Sequence, residues 1–376
     1  MKHQSNILAL KYRPSDFSDL IGQEYLVETI QKSIELNKIP NAYIFTGIRG
    51  VGKTTTARIV AKMLNCTVFD DSNRPDLQKC DQALAISEDR HPDVIEIDAA
   101  SNTSVENARE IIENVKYNPV LGKYKVYIID EVHMLSKSAF NALLKTLEEP
   151  PPHSKFIFAT TEISKVPITI LSRCQRFDLR RIEKKVLSNF LEKIALKEDI
   201  SLEKEALNLI IKASDGSVRD SLSILDQANI FKSGKEIKSA EIINMLGFAK
   251  VGDLYNLSKN ILENNLSDLM NMLNDMYQRG SETSKIIEDL MSIINWSCKV
   301  KINQNLLKDE FLTEEDKQFA NLILQFDHGK LNIFWQSLMK GYDEIKISPH
   351  PHSTLEMILL RCAFLINDQN SADPEE

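Results

Sequence analysis

Cysteine is scarce in this sequence, a surplus of positive charge is missing, and no apolar run is long. Five cysteines (Cys66, Cys80, Cys174, Cys298, Cys362) among 376 residues are few, odd in number and widely spaced, which argues against a disulfide framework and for a reducing compartment. Lys and Arg number 46 against 54 Asp and Glu, a net charge of -8. A protein that coats nucleic acid needs those cations in excess, because phosphate contacts supply its binding energy. No segment reaches the ~20 apolar residues that cross a bilayer, and the N-terminus, MKHQSNILALKYRPSDF, is interrupted by Lys11 and Tyr12 before a signal-peptide core can form. The expected location is therefore the cytoplasm, with no membrane partner. The remainder is ordinary: 43% hydrophobic and 27% charged residues exclude the collagen-like, disordered and disulfide-scaffold classes. The length suits two or three domains at roughly 100–200 residues each.

Proline is also absent where it matters. Nine of the 12 prolines lie in residues 1–167 and none lies between Ile168 and Ser348. Because the proline ring is excluded from helix interiors, that second stretch, with apolar spacing such as Leu187, Phe190, Leu191, Ile194 and Ala195, is expected to be almost wholly helical. The first stretch alternates. Short apolar runs at Ala42–Thr46, Asp93–Ile97, Val126–Ile129 and Phe156–Thr160 have the length of buried parallel strands, with helical patterns between them. That rhythm predicts an α/β domain, a parallel sheet with helices on both faces. Boundaries are expected near Arg180, where strands stop, and at Gly247–Gly252, where GFAKVG breaks the helical pattern. The polar end, NDQNSADPEE, is expected to be disordered.

Gly47-Ile48-Arg49-Gly50-Val51-Gly52-Lys53-Thr54, followed by Thr55, matches G-x-x-x-x-G-K-[ST] directly after an apolar strand and before a helical run. Each residue type has a physical task. Glycines let backbone N–H groups turn onto phosphate oxygens, the helix start presents its positive end to the anion, Lys53 reaches the β and γ phosphates, and Thr54 holds magnesium. Val126-Tyr-Ile-Ile-Asp130-Glu131 supplies the partner strand. Asp130 would stand at the metal and Glu131 would polarise a water for attack on the γ phosphate. The expected cofactors are ATP and Mg²⁺.

With these residues the chain resembles the AAA+ ATPases and, within them, the motor subunit of the bacterial clamp loader, gamma/tau of DNA polymerase III. The resembling segments are Leu10-Lys-Tyr-Arg-Pro14, Ile21-Gly-Gln-Glu24, the Gly-rich loop, Asp93-Val-Ile-Glu-Ile-Asp-Ala-Ala-Ser101, Ile129-Asp-Glu-Val-His-Met134, Asn141-Ala-Leu-Leu-Lys-Thr-Leu-Glu-Glu-Pro150, Ala159-Thr-Thr161, Leu171-Ser-Arg-Cys174 and Gly216-Ser-Val-Arg-Asp220. The resemblance implies a P-loop AAA+ domain over residues 1–180, a small helical lid over 181–247, an all-α collar for oligomerisation over 248–366 and a tail over 367–376. It implies that Thr161 is a sensor of the γ phosphate or attacking water, that Arg219 is a second sensor on the lid, and that Arg173 is an arginine finger entering a neighbouring subunit's site. A finger supplied in trans makes the active site an interface. The implied partners are other loader subunits in a pentamer, the sliding clamp, primed DNA and the polymerase core; polymerisation itself belongs to the core.

Three departures from the family pattern stand out. A family zinc module of four cysteines is reduced here, within an insert at about residues 65–92, to Cys66 and Cys80, with Leu77 and Ala83 at the other two positions. Two thiolates do not fill a tetrahedral shell, so no zinc is expected, and the insert is expected to persist as a helical lobe packed by Leu77, Leu84 and Ile86. The helix start after Ser101, which in the family touches the DNA backbone, offers amides and hydroxyls but no arginine. The length resembles the short, gamma-like form. Rival readings are another ring-forming AAA+ motor, such as a branch-migration helicase or an archaeal-type loader small subunit, and a non-hydrolysing scaffold subunit. Intact Lys53, Thr54, Asp130 and Glu131 speak against the scaffold. The charge is regional: residues 1–250 carry 35 basic and 34 acidic side chains, whereas residues 251–376 carry 11 and 20, so the acidity lies in the expected collar.

Overall fold

The computed structural model describes residues 7–70, 74–232, 234–246, 251–308, 312 and 314–367. The expected tail beyond 367 and most of the GFAKVG break, residues 247–250, lie outside them. The described residues belong to two compact units, Met1–Ile200 with Ile210–Ile230, and Ser201–Leu209 with Phe231–Glu376.

The first unit is built on strands β1 (Ala42–Thr46), β2 (Val94–Asp98), β3 (Lys125–Asp130), β4 (Ser154–Thr160) and β5 (Gln175–Asp178), hydrogen-bonded in the order β2-β3-β4-β1-β5. All pairings are parallel, with Thr46 level with Thr160 and Asp98 level with Asp130. Parallel neighbours need crossovers, and helices supply them. These are α3 (Lys53–Asn65) with α4 (Asp81–Ser87), then α5 (Val105–Val115), α6 (Lys137–Glu148) and α7 (Ile168–Leu171); α1 (Leu8–Lys11) and α2 (Glu24–Glu35) precede β1, and α8 (Lys184–Lys197) follows β5.

Alternation along the strands divides the core in two. Tyr43, Phe45, Val126, Ile128 and Ile157 face one side with Ala57, Val60 and Leu64 of α3. Ile44, Tyr127, Ile129, Phe156 and Phe158 face the other, with Phe140 and Leu143 of α6. A strand buried on both faces reads as a continuous apolar run, which is why these strands were visible in the sequence. Full burial of each such side chain contributes roughly 1.5–3 kcal/mol. Strand β5 was not expected. In Gln-Arg-Phe-Asp only Phe177 is buried, so an edge strand carries no apolar run.

One buried acid organises the approach to β3. Asp93 is fully buried, and its carboxylate accepts the backbone N–H groups of Val120, Leu121 and Gly122, each at 2.7 Å. These bonds hold its pKa below the ordinary carboxylate value against the opposing effect of burial. Asn65, also fully buried, brackets the same loop by donating to Tyr124 O at 2.9 Å and accepting from Tyr124 N at 2.8 Å.

The insert holds helix α4 and an antiparallel bridge between Phe69 and Pro75. Leu77 and Ile86 are buried as expected, but Leu84 is 53% exposed and Ala83 is buried in its place. The helix is rotated so that positions 83 and 86, three apart, share the inner face. Cys66 and Cys80 are free and buried. Burial and the Cys80 side chain push the Cys66 thiol up to about 11. His91 is buried, its Nδ1 accepting from Asp93 N at 3.1 Å.

The second unit is helical, from α12 (Val251–Leu262) and α13 (Leu266–Gln278) through α14 (Thr283–Ile302) and α15 (Glu314–Ile323) to α16 (His328–Ile347) and α17 (Pro351–Asn367). Helix α10 (Val218–Phe231) belongs to the first unit except for its last residue, α9 (Lys204–Ser214) contributes residues to both units, and α11 (Ser239–Leu246) belongs to the second. The proline-free stretch is not entirely helical: besides β5, strands β6 (Ser201–Leu202) and β7 (Glu236–Ile237) form a two-residue parallel pair. Helices α12 to α17 share one apolar core, including Leu257, Leu290, Phe334 and Leu359. Helices α16 and α17 pack closely because Gly341 has no side chain. A Cβ there would stand 2.6 Å from Ile358 Cγ2. Among the described residues no helix is long and apolar enough to cross a membrane.

Candidate nucleotide site

The loop after β1 turns sharply into α3, and both conformation and space select its glycines. Gly50 has φ +76°, and a Cβ there would lie 2.1 Å from Ser217 Oγ, so no other residue fits. Helix α3 begins at Lys53 behind Gly52, with no side chain capping its first turn. An uncapped helix start leaves backbone donors and the positive end of the helix dipole facing the loop.

The loop borders a cavity of about 1030 Å³ in the first unit. Ile48, Arg49, Gly50, Val51, Gly52, Lys53, Thr54 and Thr55 line it, as do Asp98, Asp130, Glu131, Thr161 and Arg219. Gly47 lies outside the lining but joins the loop through its carbonyl, which accepts from Lys53 Nζ at 3.0 Å; Ile48 O accepts from the same ammonium at 3.0 Å. Lys53 is thus folded back on its own loop. Its pKa is lowered, mainly by burial, against the raising influence of Glu131 and Asp130.

The acidic pair sits at the end of β3, as expected. Thr54 Oγ1 donates to Asp130 Oδ2 at 2.5 Å. Glu131 follows in the left-handed region, φ 45° and ψ 46°, a conformation costing about 1 kcal/mol or more for a residue with a Cβ. Its Oε2 accepts from Thr161 N at 3.1 Å and from Thr161 Oγ1 at 3.0 Å.

Helix α10 closes another side. Gly216 turns the chain, Ser217 Oγ accepts from Asp220 N at 3.2 Å, and Arg219 N donates to Gly50 O at 3.2 Å. The start of α10 is thereby bonded to the loop itself, and Arg219 reaches the cavity.

Six of the residues expected at one centre, Lys53, Thr54, Asp130, Glu131, Thr161 and Arg219, are brought together. Arg173 is not. It lies beyond α7, donates to Thr169 O at 2.6 Å and forms an ion pair with Glu148 at the end of α6.

The cavity also includes residues that sequence reasoning did not assign. Arg13 lines it, and its Nε donates to Thr55 Oγ1 at 3.2 Å. Burial and the neighbouring Arg58 lower the pKa of that guanidinium. Ile7, Leu10, Ile21, Phe190 and Leu222 give an apolar wall remote in sequence from the Gly-rich loop. The signal for Arg13 was its place in Leu10-Lys-Tyr-Arg-Pro14. Leu10 and Ile21 stood in the resembling segments and Phe190 in a helical apolar pattern, but nothing in the sequence joined them into one wall. Tyr12, also at the cavity, donates its hydroxyl to Glu198, and burial with that carboxylate raises its pKa to about 12.

The donor set fits a magnesium–nucleotide complex. Thr54 and Asp130 offer hard oxygen ligands of the kind magnesium takes in small number beside phosphates. The open helix start, Lys53, Arg13 and Arg219 surround them with positive charge. Among the described residues no group of three or more His, Cys, Asp or Glu is placed to hold a metal ion.

A parallel sheet in this strand order, with a Gly-rich loop after β1 and an acidic pair after β3, defines a P-loop fold of the AAA+ class. Residues 22–183 match the family model "DNA polymerase III, delta subunit", 187–234 match "DNA polymerase III clamp loader subunit, ATPase lid domain", and 237–374 match "DNA polymerase III subunits gamma and tau domain III". The chain belongs to the DNA polymerase III gamma/tau family. It is 39% identical over 355 residues to the gamma subunit from Buchnera aphidicola subsp. Schizaphis graminum, covering 94% of this chain and 97% of that one. It is 39% identical over 355 residues to the tau subunit from Salmonella typhimurium, covering 94% and 55%. To the tau subunit from Bacillus subtilis it is 40% identical over 370 residues, covering 97% and 64%. The chain thus spans little more than half the length of the tau relatives it matches.

Proposed function

We propose that this chain is an ATP-driven motor subunit of a bacterial clamp loader, acting in the cytoplasm with other loader subunits to place a sliding clamp on primed DNA. The observation that carries this reading is the convergence of Lys53, the Thr54–Asp130 pair and the Thr161–Glu131 pair on one cavity. Membership of the gamma/tau family supports it. The intact acidic pair also separates it from a scaffold role, which needs no such centre.

The roles follow from the geometry. Backbone donors of residues 48–55 at the start of α3 bind the phosphates. Lys53 exchanges its two carbonyl partners for phosphate oxygens, an exchange that replaces neutral acceptors with charged ones. Thr54 and Asp130 hold magnesium, which when bound would neutralise charge on the phosphate oxygens. Glu131 accepts a proton from the attacking water once it leaves Thr161, whose hydroxyl is then free to contact the γ phosphate. Arg219 reports nucleotide through the bond between α10 and the loop. Arg173 lies outside the lining of its own cavity, and we assign it to the cavity of an adjacent subunit, within a pentamer that meets clamp, DNA and polymerase core. The same proposal divides the chain near residues 180 and 247. The lid match over 187–234 supports the first boundary, whereas the domain III match over 237–374 begins before the second.

Glu131→Gln tests the motor reading. In the full chain assembled with partner subunits, clamp and primed DNA, it should lower stimulated hydrolysis by roughly 10²-fold or more while ATP still binds. An unchanged rate would refute the assignment.

A further inference from the structure

Beneath the acidic pair lies a buried imidazole that the roles above leave unused. His133 stands in the short turn Val132–Met134 after β3, and its side chain is only 6% exposed. Thr160 at the end of β4, Glu162 two residues on, and Glu131 are its polar neighbours. Its Nδ1 is 3.0 Å from Thr160 Oγ1 and 3.4 Å from Glu131 Oε2. On the other side Nε2 is 3.5 Å from Glu162 Oε1. Thr160 Oγ1 also accepts from Glu162 N at 3.0 Å, and Thr161 between them holds Glu131.

We infer that His133 is a positioning residue that fixes Glu131 against Thr161 by tying the turn after β3 to the end of β4. The assignment rests on the reading of Glu131 as the base and deepens it. The contact between Nδ1 and Thr160 Oγ1 ties the ring to the last residue of β4, while the Glu131 carboxylate keeps its two donors from Thr161.

The physical need is plain. Glu131 sits on a left-handed backbone between the last residue of β3 and the turn Val132–Met134, outside the sheet. Thr161 is one residue past β4. Two groups each one residue past a strand must nevertheless meet a water and a phosphate to within a few tenths of an ångström, since a 1 Å misplacement costs about 10²-fold in rate. A buried ring bonded to Thr160, the last residue of β4, transfers the rigidity of the sheet to both.

Two variants of the full chain, each in the assembly with clamp and primed DNA, test this. His133→Phe keeps the buried volume and removes the polar contacts; His133→Asn restores a polar atom near the position of Nδ1. The inference predicts that His133→Phe lowers kcat about tenfold or more, with KM and the affinity for a fluorescent ATP analogue with magnesium within about twofold of wild type, and that His133→Asn recovers much of the loss. An unchanged kcat in His133→Phe overturns it. So does a fall in analogue binding that matches the fall in kcat, which would mark a packing role. A wild-type assembly that neither binds nor turns over ATP would instead overturn the motor reading itself, and this assignment with it.

Discussion

Thr161 and Glu131 hold each other: the threonine hydroxyl and backbone N–H both donate to one carboxylate oxygen, at 3.0 and 3.1 Å. The Glu131 carboxylate is therefore satisfied before any water arrives, and the Thr161 hydroxyl is occupied before any phosphate does. Removing the hydroxyl by Thr161→Ala should lower stimulated kcat by roughly 10- to 100-fold with little change in ATP affinity, and Thr161→Ser should retain most of the rate. Equal losses in both variants would place the importance of Thr161 in its methyl group.

Arg173 is paired with Glu148 and sits outside the lining of its own cavity. Its replacement by Ala should leave ATP binding by the isolated chain unchanged and lower stimulated turnover by the assembly on the order of 10³-fold, the scale of a lost arginine finger. Binding isotherms beside phosphate-release rates check this. A loss of binding by the isolated chain would assign Arg173 to its own site.

Arg13 reaches the cavity and bonds Thr55. A charge-assisted hydrogen bond to a ligand contributes about 1.5–3 kcal/mol, so Arg13→Ala should weaken ATP binding about tenfold or more. Titration of the full chain with a fluorescent ATP analogue measures it.

Asp93 gives the fold an acid limit. Its pKa is held low in the folded chain by three backbone donors and returns to about 3.9 on unfolding. The unfolded state therefore takes up the proton first. The stabilisation is complete above about pH 4 and is lost as pH falls through the lower, folded value. Asp93→Asn, measured by thermal melts from neutral to acid pH, should be less stable at pH 7 by about 2–4 kcal/mol and less sensitive to acid than wild type.

What the sequence revealed followed from how locally each feature is encoded. Strand β1 was legible to the residue because all five of its side chains are buried, and the Gly-rich loop because contiguous residues perform its chemistry. Strand β5 was hidden because only Phe177 of its four residues points into the core. Leu84 was misplaced because a seven-residue helix offers too few turns for its inner face to be fixed by spacing. The wall formed by Ile7, Leu10, Phe190 and Leu222 was invisible, since ordinary apolar side chains far apart in sequence meet only when the chain folds.

The most direct test is phosphate release by the full chain combined with its proposed partner subunits, measured with and without sliding clamp and primed DNA. A motor whose base is latched and whose arginine finger comes from a neighbour should be slow alone, and at least about tenfold faster when clamp and primed DNA are both present. A rate that is the same with and without clamp and DNA, or that the isolated chain already reaches, would contradict the clamp-loading role.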